Sequence, residues 1–62
     1  MKIVRVDNYA RETVSDFLIA EGITNQNYAK AMLDACFAVT AKDDTYYYRI
    51  VEDDYKLYTF TV

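Results

Sequence analysis

The sequence predicts a two-layer α+β domain of the order β-α-α-β-β, in which an αα-hairpin covers one face of a three-stranded, mainly antiparallel sheet. Runs rich in β-branched and aromatic residues at both ends of the chain predict the strands. Apolar residues at helical spacing between those runs predict two helices, separated by the only glycine, Gly22. A chain of 62 residues makes one domain, spanning 1–62, and buries only about 60% of the surface that its unfolded form exposes.

The first strand and the first helix are expected in the first third of the chain. KIVRV, at 2–6, partly alternates polar with apolar residues as an edge or half-buried strand does. Asp7 or Asn8 is suited to cap the helix that follows, because short polar side chains accept hydrogen bonds from free backbone N–H groups. Its apolar positions are Ala10, Val14, Phe17 and Leu18. Gly22 would end the helix in the left-handed conformation that favours glycine.

A second helix is expected from about Asn25 to Thr40. Thr24 is its predicted cap, and Ile23 is placed to pack on Tyr28 as a hydrophobic staple. The stripe predicted to face the core consists of Tyr28, Met32, Ala35, Cys36 and Val39.

Two further strands, at 45–51 and 55–62, are expected to form a hairpin around a loop at 52–54. A three-residue loop would pair Tyr48 with Tyr58 and Tyr46 with Phe60. The face beneath the helices is then predicted to contain Tyr46, Tyr48, Tyr58, Phe60 and Val62, beside Val4 and Val6. The opposite, uncovered face would present Tyr47, Arg49 and Leu57 beside Ile3 and Arg5. The first strand could pair with either strand of the hairpin, and the sequence leaves that choice open.

Composition argues against several functions. The net charge is −3, from ten acidic and seven basic residues, which disfavours direct binding to nucleic acid phosphates. One cysteine and no histidine exclude an intrachain disulfide and a zinc site of the Cys/His type within one chain. The acidic pairs at 43–44 and 53–54 do not match a calcium loop. We therefore expect no metal and no cofactor.

Catalysis is also not expected. Ser15 has no histidine to activate it, and the carboxylates cluster in loops where water keeps them ordinary. No apolar run reaches the roughly 18 residues of a membrane span, and no leader is visible. The sequence thus predicts a non-enzymatic cytoplasmic protein that is not embedded in a membrane.

Two parts of the sequence resemble a group of small, largely uncharacterised proteins encoded by phages and prophages of Gram-positive bacteria. They are VDNYARETVSDFLIAEGI followed by NYAKAMLDA, and the later DDYKLYTF. The resemblance implies a phage-type protein of the host cytoplasm, and it supplies neither a substrate nor a site. Phage proteins of this size often act by binding and blocking a host or defence protein.

Three modes of action follow, and the sequence leaves them open. Apolar recognition of a protein partner would use Leu33 and Phe37 on the second helix and Ile19 on the first, with Tyr47 and Arg49 on the uncovered sheet face. An acidic mimic of DNA would use Glu12 and Asp16, four residues apart on the first helix, beside the loop carboxylates. The third mode is a homodimeric structural accessory protein joined through Leu33 and Phe37.

Overall fold

A computed structural model describes residues 1–42 and 44–61 of the protein. The elements are β1 (Lys2–Asp7), β2 (Phe17–Ala20), α1 (Gln26–Val39) and β3 (Tyr46–Val51). The strands form one antiparallel sheet of the order β2-β1-β3. The predicted α+β class with a three-stranded antiparallel sheet is therefore confirmed. The αα-hairpin is not present in the described residues, where α1 is the single helix.

The segment predicted as the first helix instead forms a loop and then β2. The Asp7 carboxylate accepts hydrogen bonds from the backbone nitrogens of Tyr9 and Arg11, and so folds the chain into a tight loop. Ala10, with φ +54°, then leaves the helical region. FLIA, at 17–20, pairs with β1, because a short apolar run packs equally well as a strand. Gly22 does have the expected left-handed φ, at +73°, but it follows a strand.

The second predicted helix, 25–40, corresponds to α1. Its cap is Asn25 and not Thr24: the Asn25 side-chain oxygen accepts a hydrogen bond of 2.8 Å from the Asn27 backbone nitrogen. At the other end, the Thr40 hydroxyl donates to the carbonyl oxygen of Cys36 at 3.2 Å. Local capping therefore explains both ends of this helix.

The core-facing stripe predicted for this helix is wrong. Ala29 is fully buried against Ile3 and Ile23, and Leu33 packs on the same cluster. Tyr28 and Val39, expected inside, are 69% and 85% exposed. Ala29 is small and lets the helix approach the sheet closely. The side of α1 that contains Ala29 therefore faces the sheet, and the side that contains Tyr28 and Val39 does not.

The strand register decides which side chains share a face of the sheet. Arg5 lies opposite Tyr48, and Val6 lies opposite Tyr47. Directly opposed residues point to the same face, and alternate residues point to opposite faces. The Phe37 ring packs edge-on against Tyr48, with centroids 5.4 Å apart, so α1 lies on the Tyr48 face.

This arrangement confirms the predicted separation of Tyr48 from Tyr47 and corrects the assignment of β1. Ile3 and Arg5 belong to the helix side, whereas Val4 and Val6 belong to the other side. That second face is not bare, because Val4 is fully buried.

The last part of the chain does not form the predicted strand with β3. The turn at 52–54 is present, with a 3.1 Å hydrogen bond from the Tyr55 nitrogen to the Glu52 oxygen. Beyond it, 55–61 lies beside 15–16, where the Asp16 nitrogen donates to the Tyr58 oxygen at 2.8 Å. The pairings predicted for Tyr48 with Tyr58 and for Tyr46 with Phe60 are therefore wrong. Val62 and Asp43 lie outside the described residues.

Candidate protein-binding surface

The single helix covers only part of one sheet face. α1 packs on β3 and β1, and within residues 1–42 and 44–61 no Cα atom of α1 lies within 8 Å of one in β2. The helix side of β2 and the adjacent part of β1 are therefore left uncovered at the Phe17 end of the sheet. We call this region, with the flank of α1 that borders it, the open face. It consists of Arg5, Phe17, Tyr46, Tyr28, Met32 and Val39.

Arg5 lies on the floor of the open face between two aromatic rings. Its guanidinium carbon is 4.8 Å from the centroid of Phe17 and 4.2 Å from that of Tyr46. The three residues stand on adjacent strands, so β2 and β3 hold the rings on either side of the cation. The Arg5 guanidinium is thus held by cation–π contacts with rings on both neighbouring strands.

Although its charge has these ring contacts, Arg5 has an N–H group without a hydrogen bond in the part of the chain that the structure describes. Its Nε is buried and has no hydrogen-bond partner among residues 1–42 and 44–61. The ion pairs of the described residues are formed by other groups, and none includes Arg5. An unpaired buried donor costs free energy. The other N–H groups of a guanidinium can bind a carboxylate through two oxygens.

The border of the open face is an apolar row on α1. Tyr28, Met32, Ala35 and Val39 follow one another at intervals of four, three and four residues and are all exposed. α1 starts near the Met1 end of β1 and ends near the Tyr46 end of β3. α1 is right-handed and runs in this direction over a sheet of the order β2-β1-β3. The row of exposed apolar residues therefore lies on the side of α1 that is nearer to β2. The apolar row of α1 and the uncovered helix side of β2 thus border the same open space.

The apolar residues predicted to bind a partner are separated by the structure. Leu33 packs on the core cluster and is half-buried. Phe37 is 42% exposed on the flank of α1 away from β2. Ile19 is 39% exposed, but it lies in the edge strand β2 and not on a helix.

The predicted polar binding residues also lie apart from the open face. Tyr47 and Arg49 are on the second face of the sheet, where the Arg49 guanidinium lies 5.9 Å from the Tyr55 ring centroid. Glu12 is exposed in the loop before β2. Asp16 accepts hydrogen bonds from the Tyr55 hydroxyl at 3.2 Å and the Tyr58 nitrogen at 2.9 Å. Asp16 therefore holds the last segment of the chain in place.

Burial and the nearby Asp16 carboxylate both raise the pKa of Tyr55, which keeps its hydroxyl protonated as the donor. Two of the loop carboxylates also have internal partners. Asp44 accepts from the Tyr9 hydroxyl at 2.9 Å, and Asp53 lies 2.7 Å from the Met1 amino group, which lowers the pKa of Asp53. They belong to loops at opposite ends of β3.

A cavity of about 340 Å³ lies beside Asp16. Its lining consists of Val6, Asp7, Ala10, Arg11, Glu12, Val14, Asp16, Tyr55 and Tyr58. Three of the four charged side chains on its wall are engaged, since Asp7 binds Arg11 and Asp16 binds the two tyrosines. The lining contains no serine, cysteine or lysine that would serve as a nucleophile.

Sequence reasoning missed Arg5 and Phe17 as site residues. A usable signal was present in KIVRV, because Arg5 has the same strand parity as Ile3. A cation that shares a sheet face with a buried apolar residue such as Ile3 needs an interaction partner for its charge. The signal for Phe17 was hidden by the helical interpretation of 8–22.

Comparison with protein-family models, curated proteins and solved structures finds no match to this chain. Among the described residues, no helix combines the length and the apolar character needed to cross a membrane. A search of the same ranges for three or more grouped metal-binding side chains finds none.

Proposed function

We propose that this chain is a small, non-enzymatic binding protein that acts by direct contact with a protein partner, which it binds through the open face. The single observation that carries the proposal is Arg5, fixed between Phe17 and Tyr46 with a buried, unpaired Nε. Arginine and aromatic residues are the types that most often dominate binding energy in protein interfaces.

The apolar border of the open face supports the same proposal. Phe17, Tyr28 and Val39 are more than half exposed, and Met32 is 43% exposed. Isolated exposed apolar residues are ordinary, but a row on one helix that faces a bare strand makes a continuous patch. Such a patch, with aromatic and methionine side chains around an arginine, has the composition of an interface centre.

The chemistry of the open face defines the kind of partner it fits. The partner presents an apolar segment to Met32 and Phe17, together with one carboxylate that reaches Arg5. The phage resemblance extends this to a setting: a host or defence protein in the bacterial cytoplasm, which the chain blocks by occupying its surface.

The experiment begins with a photo-reactive amino acid placed at Met32 in the bacterial host, with a matched placement at the exposed Lys56. A protein cross-linked from position 32 and not from position 56 is then purified, and its affinity is measured by calorimetry. We expect Arg5→Ala and Phe17→Ala each to weaken binding by about 10-fold or more, as for interface hot spots. Lys56→Ala is expected to have no effect. Equal affinities of all four proteins would overturn the proposal.

Salt separates this mode of binding from an acidic mimic. Affinity that rests on apolar contact and one enclosed ion pair changes little between low and moderate ionic strength. Affinity that collapses over that range would assign the binding to the exposed carboxylates instead.

A further inference from the structure

β3 is an edge strand with one unpaired side. Its inner side pairs with β1 along its whole length, from Tyr46 opposite Asp7 to Val51 opposite Lys2. The outer side forms no backbone hydrogen bond within the described residues. The segment predicted to cover it follows another path over 55–61. β3 therefore offers free backbone donors and acceptors to an incoming strand.

The hydrogen-bond pattern shows which residues carry these free groups. The Asn8 nitrogen donates to the Thr45 oxygen at 2.9 Å, so position 45 directs its backbone groups toward β1. Backbone groups alternate in direction along an antiparallel strand. Tyr46, Tyr48 and Ile50 consequently direct their N–H and C=O groups outward.

The two edges of the sheet differ in how well they resist pairing. β2 has four residues, and its register with β1 shifts between Ile3 and Val4. Short and irregular edges are poor templates for another strand. β3 has six residues in unbroken register, YYYRIV, without proline or lysine. The unprotected edge is therefore β3.

We propose that β3 pairs with β3 of a second copy of this chain, antiparallel about a two-fold axis at Tyr48, to form a continuous six-stranded sheet. In this register Tyr48 opposes the partner's Tyr48, and Tyr46 opposes the partner's Ile50. All outward groups then find partners, with about six hydrogen bonds from three residue pairs. Centring the axis on Arg49 would oppose two guanidinium groups directly, which destabilises a strand pair.

Phe37 gives a second reason for a copy of the same chain as the occupant. It stands on the flank of α1 beside this edge, 42% exposed and packed on Tyr48. A two-fold axis at Tyr48 brings α1 and the partner's α1 side by side on one face of the sheet. The exposed part of each Phe37 ring then faces the other helix, so one contact covers both the free edge and this ring.

The test is the mass of the protein in solution together with amide exchange. Sedimentation equilibrium from micromolar to millimolar concentration should show a monomer–dimer equilibrium. By NMR, the amides of Tyr46, Tyr48 and Ile50 should be protected at high concentration and exchange rapidly on dilution. Those of Tyr47 and Arg49, which point to β1, should stay protected throughout. A protein that is monomeric at every concentration would overturn the proposal, as would a dimer whose three outward amides remain unprotected.

Two variants isolate the contribution of the outward backbone N–H group of residue 48 to dimer formation. Tyr48→Ala and Tyr48→Pro both remove the ring, but only proline removes the outward N–H. We expect the dimer dissociation constant of the proline variant to be about 30-fold higher than that of the alanine variant. Equal constants would contradict strand pairing. If the proline variant fails to fold, the exchange pattern of the natural protein still decides. Arg5→Ala, in the open face, should leave the mass unchanged, so failure of the dimer and failure of the proposed partner binding are separate results.

Discussion

The carboxylate of Asp7 accepts two hydrogen bonds from the guanidinium of Arg11, at 2.9 Å from Nε and 2.8 Å from the terminal nitrogen Nη2. It also accepts from the backbone nitrogen of Arg11 at 2.7 Å. Asp7 is buried, so one ion pair fixes the loop that leads from β1 toward β2. These hydrogen bonds, above all those of the Arg11 side chain, lower the pKa of Asp7 from 3.8 to about 2.

The first prediction is a loss of stability in acid that depends on Asp7. Because its pKa is lower in the folded chain than in the unfolded chain, its contribution is complete above about pH 4 and is lost as the pH falls toward about 2. Asp7→Asn should remove this part of the pH dependence. The measurement is the urea midpoint across that range, with the exposed Asp34→Asn as the control. Parallel profiles for Asp7→Asn and the natural protein would contradict the assignment.

The second prediction concerns Asp16 and Glu12, two carboxylates that the sequence suggested were equivalent. Asp16→Ala removes the acceptor of the Tyr55 hydroxyl and the Tyr58 nitrogen and should destabilise the protein by about 1 to 2 kcal/mol. Glu12→Ala should change stability by less than about 0.5 kcal/mol, because only the backbone oxygen of Glu12 is used, as acceptor for the Tyr58 hydroxyl. Chemical denaturation of both variants gives the comparison, and equal effects would show that Asp16 does not hold 55–61.

The elements that the sequence predicted well are those with one dominant pattern. KIVRV and YYYRIV are rich in β-branched or aromatic residues, and α1 is a long segment that follows a polar cap. FLIA failed because four apolar residues suit a strand and a helix alike. The decisive interaction there is the Asp7 carboxylate with Arg11, in which a predicted helix cap folds a loop instead.

The orientation of α1 and the path of 55–61 could not be predicted for different reasons. When apolar residues lie around most of a helix, their spacing does not show which side faces the sheet. In α1 that side is set by Ala29, which packs closely on Ile3. The last segment is held by Asp16 and Ser15, about 45 residues earlier, and such distant side-chain hydrogen bonds leave no local signal. Phe37, which the sequence suggested as a binding residue, is 42% exposed. The surroundings of Arg5 could not be predicted in this way, because they depend on both neighbouring strands.

The third prediction tests the backbone at Ala10. Its φ of +54° lies in the left-handed region, which costs a residue with a side chain about 1 to 2 kcal/mol. Ala10→Gly relieves that cost and loses less through the greater freedom of the unfolded chain, so we expect stabilisation of up to about 1 kcal/mol. Ala38→Gly, at an exposed position of α1, should destabilise by about 1 kcal/mol. Thermal melts of the pair should therefore move in opposite directions, and a shared downward shift would refute the assignment at Ala10.

The last prediction compares two neighbours on α1, Leu33 and Met32. Leu33 packs on the cluster of Ile3, Ile23 and Ala29, whereas Met32 is 43% exposed on the opposite flank from Phe37. Leu33→Ala should cost about 2 kcal/mol, at the lower end for leucine truncations because the residue is only half-buried. Met32→Ala should cost less than about 1 kcal/mol.

The pair is informative because helical periodicity alone predicts the reverse, with Met32 inside and Leu33 outside. Urea denaturation at neutral pH measures both values, and circular dichroism confirms that each variant keeps its helix. A larger loss for Met32→Ala would mean that α1 is turned about its axis, which would also remove the apolar border of the open face. The expected order leaves Met32→Ala folded, so any loss of partner binding in that variant reports on the surface itself.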